Sequence, residues 1–268
     1  MDLDPILRPR SLAVVGYSHS NPFHPANVIY HKNHLRYDAR CFAVNPRGGE
    51  VYGETVYPRI GDIPGGVDQA VLVVRSDLVP GLVRECAEAG VRGLVVISGG
   101  FAETGRTELQ AALTTAAHDT GLPVIGPNCL GVYAPPMCDS FFLPYERLVE
   151  PRAGNVALVS QSGGILVDLI IKLTQERVGL SSAVSIGNKA VVDEVDLLEY
   201  FLADEQTQVI GIYLEGFSRG RGRRFVELAR SAAKPIVALK AGKTPGGSRA
   251  VSSHTASLAG DYRVFRDL

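Results

Sequence analysis

The sequence predicts an α/β protein built from two doubly wound, largely parallel sheets, and three observations carry that expectation. Short β-branched runs alternate with helix-like segments, as they do where crossover helices bury strands on both faces. The alternation is interrupted once, over 133–155, by "YAPPMCDSFFLPYERLVEPRAGN", which holds four prolines and no helical period. At 268 residues the chain also exceeds one average domain. A boundary is therefore expected near residue 145, giving domains 1–145 and 146–268.

In the first domain, strands are expected in "SLAVVG" (11–16), "RCFAVN" (40–45), "QAVLVV" (69–74), "GLVVIS" (93–98) and "PVIG" (123–126). The segments 78–90 and 106–121 between them read as helices, each closed by a glycine suited to a left-handed C-cap. The second domain restarts with "VALVS" (156–160), "SSAVS" (181–185), "VIGIYLE" (209–215) and "PIVALK" (235–240).

Composition narrows the function classes. The apolar content of 46% is that of an ordinary soluble protein. A formal net charge of -1 gives no basic surface for nucleic acid or anionic membrane. No apolar run approaches the ~20 residues of a membrane span, and "MDLDPILRPR" has no signal-peptide core. The four cysteines (Cys41, Cys86, Cys129, Cys138) form no CxxC and no metal-ligand spacing, so free thiols in a reducing cytoplasm are expected. No metal site is expected either: His19, His24, His31 and His34 share one segment, but with no ligand spacing and no interleaved thiol or acid.

Two glycine loops invite an anion. After the first strand comes "VVGYSHSNP", where Gly16 ends a strand that opens toward a helix, although any tight strand–helix turn uses one glycine. A nicotinamide dinucleotide would ask for an acid after the second strand, roughly 20 residues past the glycines. "FAVNPRGGEVYG" has Asn45, Pro46 and Arg47 there instead, which argues against that cofactor. The loop "VALVSQSGGIL" is sharper. Ser160 and Ser162 end a strand, Gly163 and Gly164 allow close backbone approach, and an apolar helix starts at once, so its unpaired N–H groups would attract phosphate. The same letters also read as an ordinary N-cap. "IGPNCLG" makes a comparable turn and also reads as a structural Pro-Asn turn.

The last feature is "RAVSSHTASLAGD". His254 stands among Ser252, Ser253 and Thr255, so the imidazole is presented and not packed, and the glycine-rich stretch from Gly242 to Gly247 lets it travel. A neutral imidazole can attack a phosphoryl group and pass it on, provided a carboxylate fixes its tautomer. Glu215, ending a strand in "IYLEG", is the candidate acid.

Taken together, the residues resemble the nucleoside-diphosphate-forming acyl-CoA synthetases, whose relatives are the α subunits of succinyl-CoA synthetase and of ADP-forming acetyl-CoA synthetase. The similarity runs in one order from "LDPILRPRSLAVVG" through "VNPRGGEVYG", "VISGGFAETG", "VIGPNCLGVY", "VALVSQSGG", "SIGNKAVVDEVDLLEYF" and "IYLEG" to "LKAGKTPGGSRAVSSHTASLAGD". The resemblance implies a Rossmann-like coenzyme A-binding domain at 1–145 and a flavodoxin-like ligase domain with a phosphohistidine loop at 146–268. It implies that His254 is phosphorylated during turnover with Glu215 in support. It implies coenzyme A along Gly16, Ser18, Asn45, Pro46, Val74, Arg75, Ser98 and Gly99, Asn128 near the thioester, and phosphate at Ser160, Ser162, Gly163 and Gly164. The reaction implied interconverts acyl-CoA, phosphate and ADP with acid, CoA and ATP. Mg²⁺ and ADP or ATP would be held by an ATP-grasp partner subunit or domain, in an oligomer, with a small organic acid as substrate.

The chain departs from the family's pattern in two places. "HSNPFHPANVIYHKN" replaces a short loop of Pro and Gly, and Val74–Arg75 replaces Val-Pro after the third strand; both touch coenzyme A binding. The family also continues beyond the place where this sequence stops, which reads as a fragment or as one subunit of a larger assembly. The alternative function is a CoA- or acyl-CoA-sensing region of a protein acetyltransferase without ligase activity.

Overall fold

The computed structural model describes residues 1–143, 151–218 and 220–242. The chain opens with the one-turn helix α1 (Asp4–Leu7) and β1 (Ser11–Val15). It continues through α2 (Pro25–Arg36), β2 (Arg40–Val44), a hairpin of β3 (Glu50–Val51) and β4 (Glu54–Tyr57), and β5 (Gln69–Leu72). The first half ends with α3 (Val79–Glu88), β6 (Gly93–Val96), α4 (Thr107–Thr120) and β7 (Val124–Ile125). Then come β8 (Gly131–Ala134), β9 (Cys138–Asp139), β10 (Ala153–Ser160), α5 (Gly163–Gln175) and β11 (Leu180–Ser185). The described part closes with α6 (Glu194–Ala203), β12 (Val209–Leu214), α7 (Arg221–Ser231) and β13 (Ile236–Lys240).

Every strand expected from a β-branched run forms, within one or two residues of its expected ends except β10, which starts three residues earlier. The first sheet has the order β3-β4-β2-β1-β5-β6-β7, parallel throughout except for the β3–β4 hairpin. Without that hairpin strand it is the dinucleotide-fold order 3-2-1-4-5-6, with the chain reversing direction between β1 and β5. The second sheet runs β13-β12-β10-β11-β8-β9; its four parallel strands reverse between β10 and β12, as in flavodoxin-like sheets. Two doubly wound sheets are thus present.

Local chemistry explains the helices. The α3 helix has Pro at its first turn and buries Val79, Val83 and Cys86 along one face; α4 ends at Gly121, whose φ of 72° suits the left-handed cap. The bulky stretch after Ser18 turns out to be mostly helix. Pro25 begins α2, and His24 caps it by accepting the Ala26 N–H at 3.3 Å. Two histidines and two asparagines hide its period, so the sequence read as a loop.

The segment 133–155 also holds more structure than its prolines suggest. β8 runs antiparallel to β11, and β9 to β8, so part of the chain before residue 145 belongs to the second sheet. The two halves share one apolar cluster, with Val14, Val71, Val95 and Ile125 from the first sheet and Val132, Val159, Val184 and Ile212 from the second. Two polar joins cross it. Lys32 of α2 and Asp139 of β9 form a buried ion pair at 2.7 Å. The backbone N–H groups of Asn188, Ala190 and Val192 donate to the carbonyls of Pro127, Gly126 and Val124. No described helix is long and apolar enough to cross a membrane.

Candidate functional site

The two switch points face one cleft. In open α/β sheets a crevice opens where successive connections leave in opposite directions, outside the carboxyl ends of the strands. Here those ends are Val15 and Leu72 in the first sheet and Ser160 and Leu214 in the second. Three adjoining cavities of about 380, 650 and 490 Å³ occupy this edge. The first and second share His24, and the second and third share Ile97 and Phe142, so the three lie in a row.

The expected residues distribute along it in sequence order. Gly16, Ser18, Asn45 and Pro46 line the first cavity together with Arg47. Val74, Arg75, Ser98 and Gly99 line the second. Asn128, Ser162, Gly163 and Gly164 line the third. Ser160 lies beneath it, fully buried. His254 lies outside the described residues.

At the first crevice, the polar side chains mainly shape backbone. The Asn45 amide donates to the Tyr17 carbonyl at 2.5 Å and accepts from the Arg47 N–H at 2.8 Å. Asn27 takes the Ser18 N–H at 2.7 Å, and the Ser98 hydroxyl both donates to the Val74 carbonyl and accepts its N–H. Gly16 sits at φ 108°, where a Cβ would come within 2.1 Å of the Val73 carbonyl oxygen, so only glycine lets the β1 and β5 ends approach this closely. Arg47 and Arg75 are left exposed at the rim, as cations that could meet a polyanion.

At the second crevice, Ser160 holds the loop closed on itself: its hydroxyl donates to the Ser162 carbonyl at 2.7 Å and accepts the Ser162 N–H at 3.1 Å. Ser162 in turn caps Ile165 at 3.4 Å. The N–H groups of Gly163 and Gly164, next along the helix, take no acceptor among the described residues and face the third cavity. Two donors at the positive end of α5 are the requirement for holding a small anion. A Cβ on Gly163 would meet Leu130 at 3.3 Å, so that glycine serves the packing of α5; Gly164 opens on empty space.

Glu215 is buried beside this loop, with its Oε2 atom lacking any hydrogen-bond partner among the described residues. An unpartnered buried carboxylate oxygen costs free energy and is a feature of sites awaiting a donor. Burial, and then the Glu215 charge, raises the Tyr213 hydroxyl above its ordinary pKa.

Three residues quoted only as motif letters hold the acid in place. Gln161 accepts the N–H groups of Glu215 (2.5 Å) and Gly216 (3.1 Å) and donates to the Gly216 carbonyl (2.7 Å) and to Glu194 (3.1 Å). Lys189 donates to both Glu194 oxygens at 3.1 Å and to the Gly216 carbonyl at 2.6 Å. Burial lifts the Glu194 carboxyl above its usual range while Lys189 pulls it back. Cys129, which lines the third cavity, is held protonated by burial, its pKa pushed up to about 12, and is no nucleophile. His31 and His34 of the first domain serve elsewhere, whereas His19 and His24 line the first cavity. His34 stacks on Tyr30 and Tyr52, His31 meets Tyr52 edge-on, and all four cysteines are free.

Comparison with known proteins places this geometry. A CoA binding domain family matches residues 10–135, and a family described as "Succinyl-CoA ligase like flavodoxin domain" matches 153–268. The α subunit of an ADP-forming acetate–CoA ligase II from Pyrococcus furiosus is 38% identical over 98% of this chain and 57% of its own length. The α subunit of an ADP-forming succinate–CoA ligase from Archaeoglobus fulgidus is 31% identical over 80% of this chain and 75% of its own. The dinucleotide-forming acetyl-coenzyme A synthetase 1 of Ca. Korarchaeum cryptofilum, solved with phosphate and ADP, superposes with a TM-score of 0.92 at 40% identity, covering 99% of this chain and 57% of that one. The chain thus spans about half the length of some relatives it matches. These relatives are named as ligases and synthetases and lend no support to the acetyltransferase reading. With both halves matched in one order and the fold shared almost end to end, the chain belongs to the nucleoside-diphosphate-forming acyl-CoA synthetases, in the region of their α subunits.

Proposed function

We propose that this chain is the CoA-binding and phosphohistidine-bearing part of an acid–CoA ligase, interconverting acyl-CoA, phosphate and ADP with acid, CoA and ATP. The observation that carries the reading is the row of adjoining cavities, a passage in outline, from the Gly16–Arg47 crevice to the Gly163–Gly164 donors. A CoA thioester is a long substrate with a polyanionic end and a reactive end, and this passage offers exposed arginines at one end and a small-anion seat at the other.

In this reading, Gly163 and Gly164 hold phosphate while one of its oxygens attacks the thioester carbonyl, the C–S bond breaks, and CoA leaves as acyl phosphate forms. Asn128 lies beside the sulfur. The His254 imidazole then attacks phosphorus, the P–O bond to the acyl group breaks, and the carboxylate departs. Glu215, held by Gln161, supplies the negative charge that steadies the resulting phosphohistidine. His254 then hands the phosphoryl group to ADP, which with Mg²⁺ belongs to an ATP-grasp subunit or domain. The relatives named as α subunits support such a partner. Oligomeric assembly and a cytoplasmic setting complete the proposal.

Two measurements test it. CoA should raise the melting temperature of the isolated chain and NADH should not, since only a ligand of the native state stabilises it; the reverse result ends the CoA assignment. With the nucleotide partner, ATP and Mg²⁺, phosphate should appear on His254 and be absent from His254→Asn. Undiminished label in that variant would place the carrier elsewhere.

A further inference from the structure

The third cavity is lined by both polar and apolar groups. Asn128, Asn188, Gln161 and the α5 terminus are the polar ones. Gly187 and six apolar side chains, those of Ile97, Cys129, Leu130, Phe142, Leu143 and Val167, complete it. Cys129 and Leu130 are each only 5% exposed, and Phe142 packs against two separate core clusters, so these apolar side chains are anchored in the core. If phosphate sits on the Gly163 and Gly164 N–H groups and sulfur beside Asn128, the thioester carbonyl lies between them and its acyl chain meets this apolar wall.

We infer that the cavity selects an acyl group with an apolar body larger than acetyl, such as a branched short-chain acid, over both acetyl and a dicarboxylic acyl group; the inference rests on the function proposed above. Apolar walls reward each added methyl or methylene with roughly tenfold or more in binding. They offer a distal carboxylate only desolvation: no ionisable side chain is among the described residues lining this cavity, apart from the buried, protonated Cys129.

The test is calorimetric titration of the isolated chain with CoA, acetyl-CoA, isovaleryl-CoA and succinyl-CoA. Isovaleryl-CoA is expected to bind at least tenfold tighter than acetyl-CoA, and succinyl-CoA no tighter than acetyl-CoA. Val167→Phe, which fills the apolar end, and Val167→Thr, which keeps its volume but adds a hydroxyl, should both shrink the isovaleryl preference. Acetyl-CoA and isovaleryl-CoA binding within twofold of each other, while CoA itself binds, would overturn this inference alone and leave the proposed function standing. Succinyl-CoA as the tightest ligand would also overturn it. If CoA does not bind at all, the underlying reading fails and takes the inference with it.

Discussion

The two crevices are built from the same topological device and finished in opposite ways. At the first, charge stays at the rim: the Arg75 side chain is 77% exposed and pairs with its neighbour Asp77, while buried polar groups such as Asn27 tie loops together. At the second, charge is inside: Lys189 is 9% and Glu194 0% exposed; Gln161 and Lys189 grip the Glu215–Gly216 turn, and Glu194 accepts from both of them. An exposed, charged rim suits a long flexible ligand that brings its own charge. A buried hydrogen-bonded network suits a group that must stand ready at one place, because the network is already in position when charge develops there.

Breaking the second crevice should have the largest effect. Lys189→Met leaves a buried carboxylate without its cation and should cost about 3–5 kcal/mol in urea unfolding. The loss should depend on pH. Glu194 already has a raised pKa in the folded state, and removing Lys189 raises it further. A carboxyl raised by folding is tolerated below its unfolded pKa and costs stability as pH rises through the folded one, so the deficit should shrink toward acid. If Lys189→Met with Glu194→Gln is no more stable than Lys189→Met alone at neutral pH, the buried charge is not the cause.

The first crevice should yield less. Gly16→Ala forces a side chain into a left-handed backbone position and against the Val73 carbonyl, for about 2–3 kcal/mol by thermal or urea unfolding. It should weaken CoA binding far more than phosphate binding; equal loss of both would mean the crevices are not separable.

The smallest effect tests the histidine between the first two cavities. Burial lowers the His24 pKa below its ordinary 6.5, and its Nδ1 must be unprotonated to cap α2. A histidine lowered by folding leaves stability intact above 6.5 and loses it as pH falls toward the folded value, here about 1 kcal/mol for the cap. His24→Asn keeps a capping oxygen and should flatten part of this slope. His31, also lowered by burial, should account for what remains.

Much of this was legible in the sequence. The strands announce themselves by β-branched runs, and the glycine loops sit where strands end, so both switch points could be located. What stayed hidden is non-local. The strands β8 and β9 are four and two residues long and exist through pairing, β8 with β11 and β9 with β8. Gln161 and Lys189 stand in quoted motifs, but their grip on Gly216 spans 55 and 27 residues. Glu194 follows the N-cap Asp193 and reads as a first-turn acid, complementary to the helix dipole, when it is in fact wholly buried.

The backbone seam between 124–127 and 188–192 has a consequence for how the passage can change. Peptide groups of one half donate to peptide groups of the other, and the side chain of Asn188 adds bonds to Glu103 and Gln110, with a third from Asn128. Gly187 lies so close that a Cβ would be 2.3 Å from the Pro127 carbonyl oxygen. The spacing between Asn128 and the α5 terminus, the proposed seats of sulfur and phosphate, is therefore cut into the main chain, where single substitutions have little purchase. The bore beyond it is set by side chains such as Phe142 and Val167, and these can be exchanged without recutting that spacing.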